Sequence, residues 1–288
     1  MNISLRSLML TFIVSGLLIN ASAADPVPVT IGVCPGPYGD LIKRAIAPGL
    51  VAKGFAVTVR EFSDYVQPNL ALGSGALAAN LFQHERYLTK FSKDHSLALS
   101  PVITVPTASL GIYSRKVKSL DELKAGDEVT LANDPTNLAR ALRLFALHKL
   151  ITLKGDIDPT KASERDIAEN PKGLKFRPIE AAQLPRSLDS VALSAVNGNF
   201  AIAAGIPLSS ALITEQLSED LKNLIAVRTV DADQPLAKAL KEVVESEAFR
   251  TVIEDPARPF HEFQRPAWYV AKWASGDAKP GAAVPAAK

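Results

Sequence analysis

EVTLANDPTNLARAL, residues 128–142, decides the fold class of this chain because it joins a β-strand directly to a helix. Glu128–Leu131 is rich in residues that favour extended backbone and predicts a strand. Asp134 follows as a helix N-cap, and Pro135 occupies the first helical position, where proline is favoured. The next apolar residues recur at helical spacing and predict one buried face: Leu138, Ala141, Leu142, Phe145 and Ala146. The segment therefore predicts a strand–helix unit of an α/β protein.

The same alternation recurs along most of the chain. Further strands are predicted over residues 29–33, 57–62, 78–82, 97–105, 110–114, 175–178, 192–196 and 224–227. Helices are predicted over Tyr38–Lys53, with a kink at Pro48, and over Gln234–Glu254. Repeated strand–helix alternation predicts parallel sheets that are covered by helices.

Polar clusters follow five of the predicted strands. They are Cys34–Pro37, Ser63–Asn69, Gln83–His84, Asn133–Asn137 and Asn197–Asn199. In open α/β sheets, ligands bind at the carboxyl ends of the strands, where helix N-termini gather. The clusters therefore predict a ligand cleft, although the alternation alone also fits many enzymes.

The N-terminal residues predict export. Arg6 precedes the apolar run Leu8–Ile19, and Ala21–Ala23 then forms a small-x-small cleavage pattern, so residues 1–23 are expected to be a secretory signal peptide. The cleavage site carries no lipid-acceptor cysteine, since Cys34 is the only cysteine of the chain. The sequence thus predicts a soluble periplasmic protein without a lipobox.

Composition limits the partners and the stabilising devices. Lys and Arg number 32 and Asp and Glu number 30, so the charge balance gives no reason to expect nucleic acid as a partner. A single cysteine excludes an internal disulfide. Residues 274–288 are rich in Ala, Pro and Gly and lack large apolar side chains, which predicts a disordered tail.

Asn137 and Arg140 are candidates for holding a carboxylate. They lie three residues apart on the predicted helix, and an arginine there can bind a carboxylate with two parallel hydrogen bonds. Backbone N–H groups at the helix start would support the same anion. The alternative is a solvated arginine on an exposed helix face.

An aromatic cluster follows the third predicted strand. Phe82, His84 and Tyr87 belong to it, and Tyr65 lies in a preceding polar loop. Such side chains can line a pocket for an apolar or thioether group, but they can equally be core residues.

No catalytic, metal or cofactor site is expected. The four histidines, at positions 84, 95, 148 and 261, show neither i,i+4 spacing nor a nearby cysteine. The motifs G-x-S-x-G, G-x-x-x-x-G-K-[ST] and H-E-x-x-H are absent from the sequence. A nucleophilic pair of Cys34 and His84 is conceivable, but nothing local supplies an orienting group or an oxyanion hole.

Several long segments resemble the NlpA family, the methionine-binding components of methionine ABC importers. They are EFSDYVQPNLAL (Glu61–Leu72), NLFQHERYL (Asn80–Leu88), GIYSRKVKSLDEL (Gly111–Leu123), NDPTNLARAL (Asn133–Leu142), ENPKGLKF (Glu169–Phe176), EAAQLPRSLD (Glu180–Asp189) and AVNGNFA (Ala195–Ala201). The resemblance covers nearly the whole chain after the signal peptide, in the family's order.

The resemblance implies a two-lobed, type II-like periplasmic-binding-protein fold, with parallel-rich sheets flanked by helices. One lobe is expected over residues 24–107 and 212–273, and the other over residues 108–211. Hinge crossings are expected near Val105–Leu110 and within the region Pro207–Leu221.

The resemblance also implies roles for individual residues. Arg140 is similar to the family's arginine that binds the ligand carboxylate, and Asn137 lies beside it. Asn197 is similar to the asparagine that binds the ligand's polar backbone atoms. The wall around the thioether would be formed by Tyr65, Phe82, His84 and Tyr87. Two departures from the family pattern lie near the expected cleft, namely Cys34 and Thr107–Ser109. Cys34 is either an accessible cleft thiol or a buried apolar residue.

The implied function is capture of methionine, in the L or also the D form, for an inner-membrane ABC permease and ATPase complex. The protein is expected to be a monomer and not an enzyme. Alternative interpretations are a binder of a methionine-containing dipeptide, a periplasmic enzyme on the same scaffold, and an interaction protein without a small ligand.

Overall fold

The computed structural model describes residues 25–155, 157–158 and 161–274. The expected signal peptide, and all of the expected tail except Ala274, lie outside these residues. Among the helices described, none is long and apolar enough to cross a membrane.

Twelve strands and ten α-helices form the described part of the chain. The strands are β1 (Val27–Val33), β2 (Phe55–Glu61), β3 (Ala79–His84), β4 (Leu99–Thr104), β5 (Gly111–Tyr113), β6 (Glu128–Ala132), β7 (Thr152–Leu153), β8 (Ile167–Glu169), β9 (Lys175–Ile179), β10 (Leu193–Val196), β11 (Ile213–Thr214) and β12 (Asn223–Arg228). The helices are α1 (Tyr38–Leu41), α2 (Ala47–Ala52), α3 (Gln67–Gly73), α4 (Glu85–Asp94), α5 (Pro135–Leu147), α6 (Leu184–Ser187), α7 (Gly198–Ala203), α8 (Pro235–Val244), α9 (Glu247–Ile253) and α10 (Ala267–Trp273).

The strands form two five-stranded sheets, one in each lobe, and a small pair, β7 and β8. In the first sheet the order is β2-β1-β3-β12-β4, with β1, β2 and β3 parallel and β12 antiparallel to both of its neighbours. In the second sheet the order is β11-β5-β10-β6-β9, with β10, β6 and β9 parallel. Helices flank both sheets, so the predicted two-lobed α/β fold with parallel-rich sheets is confirmed.

The chain passes between the two sheets twice. It leaves β4 for β5 through residues 105–110, and it returns from β11 to β12 through residues 215–222. Both segments lie where hinge crossings were expected. The exact lobe limits stay a prediction, but β11 pairs with β5. Residues 213–214 therefore belong to the second sheet, just beyond the expected boundary at residue 211.

Each sheet has its own hydrophobic core. The first core contains Ile31 and Leu41 with Leu240 and Phe249 of the C-terminal helices. The second core packs α5 against the second sheet, and it contains Leu131, Leu142, Phe145 and Leu193 among others. The apolar stripe that the sequence predicts on α5 therefore faces this core.

Two helical predictions are refined by the structure. The expected helix over Tyr38–Lys53 is interrupted by a π-helical turn at Ile42–Ile46, one turn ahead of Pro48. Pro48 has no backbone N–H to donate, and in an α-helix its ring would clash with the carbonyl four residues earlier. The wider π-helical turn accommodates this ring. The expected helix over Gln234–Glu254 is two helices, α8 and α9. Ser246 is the N-cap of α9, where its side-chain oxygen accepts the backbone N–H of Phe249.

Candidate functional site

A small cavity lies between the two sheets. Its lining consists of Tyr38, Tyr65, Phe82, Gln83, His84, Tyr87, Ala108, Asn137, Arg140, Asn197, Gly198, Asn199 and Asn223. All seven residues that the sequence singles out are among them. The cavity lies at the carboxyl ends of β3, β6 and β10, as expected for ligand sites in such sheets. The structure therefore brings the seven together, and their contact with a ligand stays a prediction.

His84 ends β3 and caps α4. Its Nδ1 accepts a hydrogen bond from the backbone N–H of Tyr87 at 3.1 Å. Burial, together with the positive charge of Arg140, lowers the pKa of His84 to about 3, so the ring is neutral. A neutral ring whose Nδ1 accepts must carry its proton on Nε2, and Nε2 lies 3.4 Å from Asn137 Oδ1. His84 therefore presents a hydrogen-bond donor to the cavity.

Asp134 fixes the orientation of Asn137 at the start of α5. Its carboxylate accepts the backbone N–H of Asn137 at 2.9 Å, as the sequence predicts for an N-cap. The same carboxylate accepts the side-chain amide of Asn137 at 3.0 and 3.1 Å. Because the NH₂ group faces Asp134, Asn137 Oδ1 points into the cavity.

Three donors converge on Asn137 Oδ1. They are Nδ2 of Asn197 at 2.9 Å, a terminal guanidinium nitrogen (Nη1) of Arg140 at 3.3 Å, and Nε2 of His84 at 3.4 Å. Donors from three different elements thus point at one small volume. This arrangement can bind an anionic group, such as a carboxylate, of a bound molecule.

Arg140 is buried, with 6% of its surface exposed, so the alternative of a solvated arginine is wrong. Its Nε and Nη2 donate to the carboxylate of Glu215 at 2.5–2.9 Å. Glu215 is equally buried, at 7% exposure. Burial lowers the pKa of Arg140, but the charge and hydrogen bonds of Glu215 raise this pKa by more, so the guanidinium stays charged.

Asn197 directly precedes the short helix α7 beside the same cavity, and its side chain makes no capping hydrogen bond to that helix. Its Nδ2 is used by Asn137, whereas its Oδ1 is buried and finds no hydrogen-bond partner among the described residues. A buried carbonyl oxygen without a partner is costly, about 1–3 kcal/mol. The site therefore offers an unmatched acceptor next to the converging donors.

Aromatic rings form the opposite wall. Tyr65 stacks on Phe82 at a centroid distance of 5.8 Å and contacts the edge of Tyr87 at 5.9 Å. Phe200 of the second lobe packs on Tyr65 at 5.1 Å. The two interpretations of these aromatics are thus compatible, since Tyr65, Phe82 and Tyr87 both line the cavity and belong to a buried aromatic cluster.

Cys34 lies beneath this wall and outside the cavity lining. It is 1% exposed, and its thiol donates to the backbone carbonyl of Asp64 at 3.2 Å. Burial, with the nearby carboxylates Asp64, Glu61 and Glu180, raises the pKa of the thiol. In this structure Cys34 is therefore a buried apolar residue, because packing against the aromatic cluster covers the end of β1.

Gly36 allows the two lobes to approach closely. Its φ is +125°, and a Cβ at this position would lie 2.4 Å from the backbone oxygen of Asn199 in the second lobe. Only glycine adopts this conformation without strain, and only glycine leaves the space for the contact.

Sequence reasoning missed several residues of the site, chiefly Tyr38, Asn223 and Glu215. Tyr38 accepts the backbone N–H of Ala108 at 3.3 Å, and Asn223 opens β12. Asn223 follows a crossing, and a polar residue at the start of a strand is a signal that could have found it. Glu215 had no such signal, since its partner Arg140 is 75 positions away.

The sequence profile of the family described as NlpA lipoprotein matches residues 29–268. This range includes every residue of the cavity and both sheets, except the first two residues of β1. The chain belongs to the NlpA lipoprotein family. The resemblance noted from the sequence is therefore confirmed.

Relatives and solved structures of similar proteins carry consistent names. The D-methionine-binding lipoprotein MetQ of Salmonella typhi is 37% identical over 248 residues, which cover 82% of this chain and 91% of that protein. A nutrient binding protein from Burkholderia cenocepacia, solved bound to methionine, is 38% identical, with a TM-score of 0.75. The match covers 79% of this chain and 95% of that chain. A periplasmic substrate-binding protein of an ABC transporter from Coxiella burnetii is also 38% identical, with a TM-score of 0.73. This match covers 78% of this chain and 95% of that chain.

Membership of the NlpA lipoprotein family corrects the predicted localisation. A soluble periplasmic protein without a lipobox was expected, but the family and the Salmonella relative are both named as lipoproteins. The prediction of a protein without a membrane anchor is therefore wrong. It depended only on the residues around the expected cleavage site, and these lie outside the described part of the chain.

Proposed function

We propose that this chain is a substrate-binding component that captures methionine, in the L or also the D form, for an ABC importer. The seven predicted residues would act as ligand contacts. Arg140 and His84 would donate hydrogen bonds to the ligand carboxylate, and the side-chain oxygens of Asn137 and Asn197 would accept hydrogen bonds from its ammonium group. The names of the relatives support the choice of methionine.

One observation carries this proposal. Three donors converge on Asn137 Oδ1, and beside them the buried Oδ1 of Asn197 has no partner among the described residues. An α-amino acid matches both features, because it carries an acceptor group and a donor group on one carbon atom. A sugar carries no anionic group for the converging donors, and an inorganic anion carries no ammonium group for Asn197.

The aromatic wall supports a thioether side chain. Tyr65, Phe82 and Tyr87 surround the remaining space with ring faces and edges. Contacts between sulfur and aromatic rings contribute about 0.3–1.5 kcal/mol each. Burial of the methionine side chain contributes about 1.5–3 kcal/mol more.

A binding role without catalysis is part of the proposal. The histidine of the cavity is neutral and already bonded through Nδ1, and the thiol of Cys34 lies outside the lining. The pair of Cys34 and His84 therefore lacks the hydrogen bond that activates a nucleophile. The remaining partners are an inner-membrane permease and its ATPase, and the chain would act as a monomer.

Calorimetric titration tests the proposal. The protein is unfolded, dialysed free of bound ligand and refolded, and then titrated with L-methionine, D-methionine, methionyl-alanine and norleucine. We expect methionine to bind most tightly, and norleucine, which lacks sulfur, more weakly. Mass spectrometry of the recovered ligand should show it unchanged. Tighter binding of the dipeptide would contradict the substrate assignment, and a converted ligand would reveal an enzyme.

A variant links the binding to the cavity. Asn197→Ala should weaken methionine binding but should hardly change binding of 4-(methylthio)butanoate, which lacks the amino group. Equal losses for both ligands would show that Asn197 does not contact the ammonium group.

A further inference from the structure

We infer that Glu215 is a positioning residue, which holds Arg140 so that only one edge of its guanidinium faces the ligand. The inference rests on the proposed function, since it concerns how the same site recognises the carboxylate of an amino acid. Glu215 does not line the cavity and therefore acts through Arg140.

The hydrogen bonds define which edge is free. A guanidinium has five N–H groups, arranged as one side edge (Nε with Nη2) and one end edge (Nη1 with Nη2). Glu215 accepts from Nε at 2.8 and 2.9 Å and from Nη2 at 2.5 Å, so the side edge is occupied. The end edge remains, and its Nη1 points at Asn137 Oδ1 in the cavity. A ligand carboxylate is thus bound end-on.

Glu215 itself is held by the crossings between the lobes. Its backbone carbonyl accepts a hydrogen bond from Nε2 of Gln264 at 2.6 Å. The same Nε2 lies 2.6 Å from the hydroxyl of Ser109, and Oε1 of Gln264 accepts the N–H of Leu217 at 2.8 Å. Ser109 belongs to the first crossing and Leu217 to the second.

The backbone of Gln264 reinforces this junction. It pairs with Thr107 in both directions, N–H to carbonyl, at 3.0 Å. One glutamine thus joins both crossings at the position of Glu215. The orientation of Arg140 is therefore tied to the hinge itself and not only to the second lobe.

Charge gives the pair a second consequence. Arg140 and Glu215 are buried together, so their charges compensate within the site. A zwitterionic amino acid then enters a site whose arginine is already neutralised, and recognition depends on the direction of the hydrogen bonds more than on net attraction. A misdirected guanidinium would lose the selectivity for a carboxylate.

The experiment compares two ligands that differ only in the recognised group. L-Methionine and L-methioninamide are titrated into the wild type, Glu215→Gln and Glu219→Gln, the last being a control acid in the same crossing. We expect Glu215→Gln to weaken methionine binding by about 10- to 100-fold, the size of a hydrogen bond to a charged group. Binding of the amide should change much less, and Glu219→Gln should resemble the wild type for both.

A thermodynamic cycle separates positioning from a general structural role. In an Arg140→Gln background, Glu215→Gln should have no further effect on methionine affinity, because the guanidinium that it orients is gone. Equal losses for methionine and the amide in Glu215→Gln, or additive effects in the cycle, would overturn the inference. A wild type that binds no methionine would instead contradict the proposed function, and the inference with it.

Discussion

The phenol of Tyr65 donates a hydrogen bond to the amide oxygen of Asn199 at 2.7 Å and so joins the two lobes directly. Tyr65 belongs to the loop before α3 in the first lobe, whereas Asn199 lies on α7 in the second. The amide nitrogen of Asn199 donates to the carbonyl of Pro35 in the first lobe at 3.0 Å. One asparagine thus makes two contacts across the cleft, at the edge of the cavity.

Removing the hydroxyl of Tyr65 should favour separated lobes. Tyr65→Phe keeps the aromatic wall but loses one buried hydrogen bond, worth about 0.5–1.5 kcal/mol. We expect methionine affinity to fall by about 2- to 10-fold, mainly through faster dissociation, as measured by stopped-flow fluorescence. Tyr113→Phe, on β5 and outside the cavity lining, is the control. Unchanged dissociation in Tyr65→Phe would mean that this bond does not stabilise the closed form.

Arg140 should matter for folding as well as for binding. Arg140→Ala leaves Glu215 buried and unpaired, which costs about 3–5 kcal/mol in comparable pairs. The spacing of the apolar stripe on α5, which leaves Arg140 on another face, would by itself predict that the fold tolerates this change. The buried pair changes that expectation. Urea unfolding of the ligand-free protein should show a clear loss of stability.

A double variant distinguishes the two roles of Arg140. Arg140→Met combined with Glu215→Leu removes both charges together and should regain most of the lost stability. Methionine binding should nevertheless be much weaker than in the wild type, since no group then replaces the guanidinium. A double variant as unstable as Arg140→Ala would show that the loss comes from packing and not from an unpaired charge.

The burial of His84 as a neutral ring should lower the free energy of unfolding in acid. Burial lowers the pKa of His84 to about 3 in the folded protein, against 6.5 in the unfolded chain. The charges of Arg140 and Arg86 lower this pKa further, and the charge of Asp220 opposes them. Between these values the unfolded chain binds a proton that the folded protein does not. The free energy of unfolding therefore falls as the pH is lowered, by up to about 1.4 kcal/mol per pH unit.

His84→Asn tests this pH dependence, because asparagine can still cap α4 and accept the N–H of Tyr87. Urea unfolding at pH 7.0, about pH 5.5 and about pH 4.5 should show a smaller loss in the variant than in the wild type. The difference should begin below pH 6.5, the ordinary value of histidine. Parallel curves would mean that His84 is protonated in the folded state.

Cys34 should react slowly with maleimide in the native protein. Its thiol is buried, and its pKa is raised by burial and by the neighbouring carboxylates Asp64, Glu61 and Glu180, so little thiolate is present. We expect slow labelling at pH 7.5, with or without methionine, and complete labelling in denaturing urea. Fast labelling of the ligand-free protein would indicate that separation of the lobes exposes the end of β1.

Local signals made much of the fold predictable. The cap at Asp134, the proline at position 135 and the apolar stripe of α5 depend on neighbours within a few residues, and each lies where the sequence indicated. The polar clusters at strand ends were informative for the same reason, since parallel strands bring their carboxyl ends together.

The rest depended on contacts that are distant in the chain. The pairing of Arg140 with Glu215 joins a helix to a crossing, and no spacing rule relates them. The burial of Cys34 was equally hidden, because the residue after a strand can face either a cavity or a core. Its neighbours Tyr65 and Phe200 come from different lobes.

The absence of a side chain at Gly36 determines how closely the two lobes can approach. The backbone oxygen of Asn199 lies where a methyl group on residue 36 would have to be, only 2.4 Å from its carbon. The same Asn199 carries the amide that bonds Tyr65 and Pro35. One missing methyl group thus decides whether two lobes, each with its own core, can meet at hydrogen-bonding distance. Capture of a small molecule between the lobes therefore depends on the absence of a Cβ atom at residue 36.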